Sequence, residues 1–150
     1  ELLCDYMVQE QGRHVRGKSC LELGAGLGLV GILAHRLKAE RVVMTDGDTA
    51  TLENLRKNVS SNLKDCDDEN KDNDKNPSST ITCPQLIWGH QLESFATQHK
   101  APFDTILAAD IIYVTEIIGP LWETVDALLG DDGVFLLAYA RRNVPVDLVL

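Results

Sequence analysis

The apolar residues in the first sixty positions recur with two different spacings. Short, mostly apolar segments at residues 19–23 and 41–45 predict two buried strands. In the first ten residues the apolar positions lie three or four apart, which predicts an amphipathic helix. Asp48 can cap a further helix, since its carboxylate can accept from free amides of the first turn. The apolar faces of the helices that follow the two strands consist of Leu29, Ile32, Leu33 and Leu37 and of Leu52, Leu55 and Val59.

A different pattern covers the second half of the chain. Residues 64–80 carry almost no apolar side chain, so this segment cannot offset its ordering entropy, and we predict a flexible acidic insertion. Strand character returns at residues 81–88, 104–109 and 133–140. Between the last two strands, Gly119 and Pro120 predict the start of a helix and Gly130 its end.

Strands that alternate with helices predict an α/β fold. Such a pattern gives a mostly parallel sheet covered by helices on both faces, a Rossmann-like doubly wound arrangement with right-handed crossovers. A length of 150 residues suits one hydrophobic core, so we expect residues 1–150 to form a single domain. The first helix begins abruptly and the last residues end without a turn signal, so we expect the natural chain to continue past both ends.

Composition narrows the classes of function. The net charge of −9 disfavours a binder of nucleic acid, which needs clustered Lys and Arg, and is compatible with basic protein partners or simply with solubility. No stretch is long and apolar enough to predict a membrane span or a secretory signal. The four cysteines and four histidines show no spacing typical of a metal site or a disulfide framework. We therefore expect a monomer in the cytoplasm or nucleus.

A glycine-rich turn follows the first predicted strand. Gly24, Gly26 and Gly28 are spaced as G-x-G-x-G, whereas the dinucleotide fingerprint is G-x-G-x-x-G, and Leu29 stands at its sixth place. In a parallel α/β sheet this turn lies at the carboxyl edge, where ligands bind. A tight turn with no ligand is the structural alternative.

Two acids flank this turn. Glu22 precedes the first glycine inside an apolar strand, where a carboxylate is costly to bury without a partner. Asp46, followed by Gly47, closes the second strand about twenty residues after the turn, where a carboxylate can accept from both ribose hydroxyls. Together the acids and the glycines favour an adenosine that carries no phosphate.

Four segments carry a resemblance to a known family. Residues 21–31 resemble the first motif of seven-strand methyltransferases that use S-adenosylmethionine, and Asp46 resembles their ribose-binding acid. Residues 86–89 resemble the L-x-W motif, and residues 110–113 the D-x-x-Y motif, of the protein-lysine methyltransferases of methyltransferase family 16. The resemblance extends from about Leu2 to Arg141. The acidic insertion departs from the family pattern, and the family's upstream tryptophan segment and its last two strands have no counterpart here.

The resemblance implies S-adenosylmethionine as cofactor. Trp88 would lie against the adenine, although a tryptophan that only anchors the core is the alternative. Ala109, at the end of its strand, would contact the cofactor as well. The predicted cofactor-binding residues are Glu22, Gly24, Ala25, Gly26, Gly28, Asp46, Gly47, Trp88 and Ala109.

Asp110 and Tyr113 are the predicted catalytic residues. Asp110 ends an apolar strand and should emerge beside the cofactor, where its carboxylate could orient an amine or attract a lysine cation. Tyr113 could hold an ammonium group against its ring or bind the amine through its hydroxyl. Most of the acceleration would come from in-line positioning of nucleophile, methyl group and sulfur.

These residues predict methylation of a lysine on a protein substrate, and the resemblance implies a chaperone or a translation factor as that substrate. Three alternatives remain at this stage. A methyltransferase that acts on arginine, histidine or a small molecule would share the same cofactor half. A nicotinamide-dependent oxidoreductase would use the same βαβ unit, but Leu29 counts against it. A non-catalytic interaction module could also retain the fold.

Overall fold

A computed structural model describes residues 2–67, 80–140 and residue 144 as five strands and five α-helices. The strands are β1 Ser19–Leu23, β2 Arg41–Thr45, β3 Thr80–Thr82, β4 Phe103–Ala109 and β5 Leu129–Ala138. The helices are α1 Leu2–Gln9, α2 Leu29–Arg36, α3 Thr49–Asp67, α4 Leu92–Gln98 and α5 Ile118–Leu128, and a 3-10 turn at Thr115–Ile117 precedes α5.

The five strands form one parallel sheet in the order β3-β2-β1-β4-β5. Strand order runs one way from β1 to β3 and the other way from β4 to β5, so β1 and β4 are neighbours at the point of reversal. In open α/β sheets a crevice opens at that point, outside the carboxyl ends of the strands. The predicted α/β class, with a Rossmann-like doubly wound parallel sheet, is confirmed.

Each face of the sheet buries its own apolar cluster. Alternate residues of β2 point to opposite faces, so Val42 and Met44 belong to one cluster and Val43 to the other. The first cluster lies against α1, α2 and α3, and the second against α4 and α5. All five residues of β1 are buried, as expected for a strand covered on both sides.

The first half of the chain folds as predicted. The predicted first helix corresponds to α1, and β1, α2, β2 and α3 follow in the expected order. Asp48 caps α3, because its Oδ2 accepts from the amide of Thr51 at 2.7 Å and from its hydroxyl at 2.8 Å. Both bonds favour the charged carboxylate and lower the pKa of Asp48.

The predicted strand at residues 81–88 is wrong for most of its length. β3 ends at Thr82, and Pro84, which has no amide hydrogen for a ladder, follows shortly after. Beyond β3 an isolated bridge joins Gln85 of this segment to Asp46, the residue that follows β2. α4 was not predicted, because it is only seven residues long and buries a single side chain, Phe95.

Several observed element boundaries also differ from the predicted ones. α3 continues to Asp67, into the segment predicted as an insertion, and Thr80 already belongs to β3. Residues 68–79, which form the rest of that predicted insertion, lie outside the described residues. β5 begins at Leu129 rather than at Gly133, so Gly130 is a strand residue and does not end α5. Within the described ranges, no helix has the length and apolar character needed to cross a bilayer.

Candidate active site

A cavity of about 500 Å³ lies at the carboxyl edge of the sheet, where β1 and β4 end. It is lined by Gly24, Asp46, Gly47, Asp48, Leu86, Ile87, Trp88, Asp110, Ile111, Tyr113, Glu116, Ile117 and Pro120. Six of these residues were predicted as site residues, and they come from four separate segments of the chain. A second hollow of about 590 Å³ shares Leu86 and Ile87 with this cavity, but it contains none of the predicted site residues.

Gly24 allows two walls of the cavity to approach each other. A Cβ at this position would lie 2.8 Å from Cγ2 of Ile111 and 3.5 Å from Cζ2 of Trp88. The backbone of Gly24 also has a φ of +63°, in the left-handed region that side chains disfavour. Glycine therefore permits the close approach of the first turn and the D-x-x-Y segment.

Gly28 packs between helices and strand, and its predicted contact with the cofactor stays a prediction. It does not line the cavity, and a Cβ there would lie 2.4 Å from Cδ1 of Leu55 and 2.8 Å from Cε of Met44. Gly28 thus lets the start of α2 pack directly against α3 and β2. Ala25 and Gly26 likewise do not line the cavity, so a contact between either residue and the cofactor stays a prediction.

Asp46 connects three parts of the site. Its Oδ2 accepts from the amide of Gly26 at 3.1 Å, and its Oδ1 accepts from the amide of Asp48 at 3.0 Å. The carboxylate therefore holds the glycine turn against the start of α3. Asp46 is half-buried at the wall of the cavity, and its two oxygens retain lone pairs for further donors such as ribose hydroxyls.

Glu22 lies beneath the glycine turn rather than in the cavity. Its side chain is only 3 % exposed, and its Oε2 accepts from the amide of Gly31 at 3.0 Å. Burial raises the pKa of Glu22 to about 8, the amide of Gly31 opposes that shift, and Asp46 adds to it. The structure therefore gives Glu22 a role in holding the first turn of α2, and a direct contact with the cofactor stays a prediction.

Glu22→Gln should make the stability of the protein less sensitive to pH. The pKa of Glu22 is higher in the folded than in the unfolded chain, so its stabilising contribution is complete at low pH and is lost as pH rises toward about 8. The free energy of unfolding of the parent protein should therefore fall between about pH 5 and about pH 8, and that of the variant should fall less. Urea denaturation at several pH values measures this difference. The exposed Glu53→Gln variant is the control, and equal pH slopes for Glu22→Gln and the parent would contradict the assignment.

Trp88 forms the wall of the cavity opposite the first glycine turn. Its ring is half-buried and packs against the apolar cluster on the α4 and α5 side of the sheet. The side chain therefore anchors the core and also presents part of its ring to the cavity, while its contact with the adenine stays a prediction. A flat aromatic surface of this kind can stack against a purine.

Asp110 has a left-handed backbone conformation, with a φ of +57°. Its amide donates to the carbonyl of Ala138 at 2.9 Å, which fixes the end of β4 against β5. The chain then turns so that Ile111 and Ile112 are buried, while Tyr113 is 60 % exposed and returns to the cavity. The strained turn thus brings Asp110 and Tyr113 to one side of the cavity, and strain of this kind is frequent at functional sites.

Ala109 is the last residue of β4 and pairs with Ala138 of β5. It is half-buried and does not line the cavity, so its predicted contact with the cofactor stays a prediction.

Several lining residues were missed at the level of sequence. Ile117 and Pro120 belong to the turn and the first residues of α5, and no motif indicated that this region would face the glycine turn.

The carboxylates of Asp48 and Glu116 add to those of Asp46 and Asp110, whereas Lys, Arg and His do not occur among the lining residues. The cavity is therefore negatively charged, which favours a cationic ligand. In the described part of the chain, no three His, Cys, Asp or Glu side chains are grouped as a metal site would require.

The fold is shared with solved methyltransferases. The glycopeptide N-methyltransferase MtfA, solved in complex with sinefungin, superposes with a TM-score of 0.61 at 20% sequence identity. The match covers 90% of this chain and 51% of that chain. The likeness shows that the chain has the Rossmann-like fold of solved methyltransferases.

Sequence comparison gives the family. The profile of methyltransferase family 16, described as lysine methyltransferase, matches residues 1–146, and the chain belongs to this family. The protein N-lysine methyltransferase METTL21A of Xenopus tropicalis is 39% identical over 141 residues, which cover 94% of this chain and 57% of that protein. The EEF1A lysine methyltransferase 3 of Mus musculus is 35% identical over 142 residues, which cover 93% of this chain and 52% of that protein. The chain thus spans about half the length of these relatives.

Proposed function

We propose that the protein containing this chain transfers a methyl group from S-adenosylmethionine to a lysine side chain of another protein. One observation carries the proposal: a single cavity brings Gly24, Asp46 and Trp88 together with Asp110 and Tyr113. The first three residues suit a nucleoside and the last two suit an amine. Membership in the lysine methyltransferase family supports the same pairing of cofactor and acceptor.

The residues of the cavity fit S-adenosylmethionine. Its volume of about 500 Å³ lies in the usual range for small-ligand sites. Asp46 would accept from the ribose hydroxyls, Trp88 would stack on the adenine, and the backbone of Gly24, which lines the cavity, would lie beside the ligand. When bound, the cofactor supplies a methyl group activated by a positively charged sulfur. Sinefungin, bound in the related fold, is an analogue of this cofactor.

Asp110 and Tyr113 would receive the acceptor lysine. A lysine arrives as a cation and must lose a proton to water before its nitrogen lone pair can attack the methyl carbon, as the carbon–sulfur bond breaks and its electrons return to sulfur. The negative cavity would attract the cation, and the carboxylate of Asp110 would hold the amine in line with the methyl group. The exposed ring of Tyr113 would cover the amine and restrict its approach.

The proposal also covers the protein substrate and the cellular compartment. The printed name of the mouse relative supports a translation factor as substrate, while a chaperone substrate rests on the sequence resemblance alone. A cytoplasmic or nuclear location is supported by free thiols at Cys4, Cys20 and Cys83. A monomeric state is part of the same proposal.

Incubation of the full-length protein with methyl-labelled S-adenosylmethionine and an extract from cells that lack it tests this function. A labelled protein band is expected, and mass spectrometry should place the methyl group on a lysine whose replacement by arginine abolishes the label. Calorimetry should show binding of S-adenosylmethionine and no binding of NAD. Label on arginine or histidine, or no label together with no binding of the cofactor, would contradict the proposal.

A further inference from the structure

We propose that Thr124 of α5 is a positioning residue that holds the Trp88 wall of the cavity against the Pro120 wall. Thr124 does not line the cavity, and neither the family resemblance nor the comparisons point to it. The inference rests on the proposed function, because it assigns Thr124 an effect on cofactor binding.

The hydroxyl of Thr124 makes two hydrogen bonds. It donates to the carbonyl of Pro120 at 2.8 Å and accepts from the amide of Gly89 at 2.9 Å. The first bond is common for a threonine within a helix, since the carbonyl lies four residues earlier. The second bond joins α5 to a different segment, and it is the one that helix geometry does not explain.

Both partners of Thr124 adjoin the cavity. Gly89 directly follows Trp88, and Pro120 itself lines the cavity. Gly89 has a φ of +75°, and a Cβ at this position would lie 3.3 Å from Cβ of Pro120. The two segments therefore meet almost backbone to backbone, and the hydroxyl of Thr124 is the link between them.

The position of Trp88 depends on this link. The Trp88 ring extends to the first glycine turn, where Cζ2 lies 3.5 Å from the site of a Cβ on Gly24. Thr124 itself is completely buried. Loss of the hydroxyl would leave the partly buried amide of Gly89 without this acceptor, and a buried donor without a partner is unfavourable. The Trp88–Gly89 turn would then shift until the amide finds another partner, and the cavity would change shape with it.

Three variants of the full-length protein test the inference. Thr124→Val keeps the shape of the side chain and removes both bonds, while Thr124→Ser keeps the hydroxyl. Thr97→Val is the matched control, because the hydroxyl of Thr97 donates to the carbonyl four residues back, that of Glu93, at 3.0 Å but belongs to an exposed residue of α4 outside the cavity. Calorimetry with S-adenosylmethionine and steady-state kinetics are the measurements.

Thr124→Val should weaken binding of S-adenosylmethionine about tenfold and raise its KM, with little change in the KM for the acceptor protein. Thr124→Ser should bind within about twofold of the parent protein, and Thr97→Val should bind like the parent. A residue that only stabilises the fold would not separate the two KM values in this way. Parental affinity in Thr124→Val, or equal losses in Thr124→Val and Thr124→Ser, would overturn the inference.

Hydrogen exchange of the Gly89 amide gives a second test that needs no variant to fold. The amide should be protected in the parent protein, and rapid exchange would overturn the inference. The two proposals fail in different ways. Absence of cofactor binding by the parent protein contradicts the proposed function, whereas parental binding that Thr124→Val leaves unchanged contradicts only the role of Thr124.

Discussion

Asp110→Asn should lower the rate of methyl transfer by on the order of 10²-fold and leave the affinity for S-adenosylmethionine nearly unchanged. Asp110 lines the same cavity as Gly24, Asp46 and Trp88, and the proposed function assigns Asp110 to the acceptor and the other three residues to the cofactor. Asparagine tolerates the positive φ of this position as well as aspartate does, so the backbone turn should survive the replacement. The variant therefore separates the charge of Asp110 from its conformation.

Single-turnover methylation and calorimetry together measure this effect. Glu93→Gln removes a carboxylate from an exposed position on α4 outside the cavity and should retain the parental rate. Asp110→Gly, which also accepts a positive φ, should be as slow as Asp110→Asn. A parental rate in Asp110→Asn would show that the charge is not needed, and a large loss of cofactor affinity would assign Asp110 to the cofactor instead.

Gly28→Ala should lower the free energy of unfolding by about 3 kcal/mol. The added Cβ would overlap Cδ1 of Leu55 and Cε of Met44, and overpacking of this kind costs about 1–3 kcal/mol. The φ of +90° adds roughly 1–2 kcal/mol for a residue with a side chain. The sum is a large share of the stability of a typical domain.

Gly17→Ala separates the two contributions. Gly17 also has a positive φ, of +66°, but a Cβ there would meet nothing within 4 Å. This control should therefore lose only the backbone contribution, about 1–2 kcal/mol, when both variants are unfolded in urea. Equal losses in the two variants would mean that Leu55 and Met44 move aside without cost.

The sequence predicted best the parts of the molecule in which local pattern and final position agree. The first two strands are buried on both faces, and their short, mostly apolar segments correctly predicted buried strands. In the turn between β1 and α2, glycines occupy positions 24, 26 and 28, and all three have a positive φ that glycine adopts readily. Asp46 and Asp110 end parallel strands that lie close together, so both were expected at the same edge and both line the cavity.

The sequence was a poor guide where the conformation or contacts of a residue depend on segments that are distant along the chain. Residues 83–88 have strand-like composition but lack a neighbouring strand beyond the bridge at Gln85, so most of them remain irregular. Glu22 and Gly28 stay predicted cofactor residues, but their contacts with Gly31 and with Leu55 and Met44, respectively, were not evident from their spacing. Thr124 carries no motif, and its bond to Gly89 depends on a contact between segments 35 residues apart.

The pairing of β1 with β4 has a consequence for biosynthesis. The amide of Ser19, at the start of β1, donates to the side-chain carboxylate of Asp104, 85 residues later, at 2.8 Å. Closing so long a loop is slow relative to local folding. A nascent polypeptide that has emerged only as far as Gln98 carries Gly24, Asp46 and Trp88 but lacks β4, which pairs with β1 and holds it in the sheet. The cavity should therefore form in one step, after β4 and the first turns of α5 have left the exit tunnel.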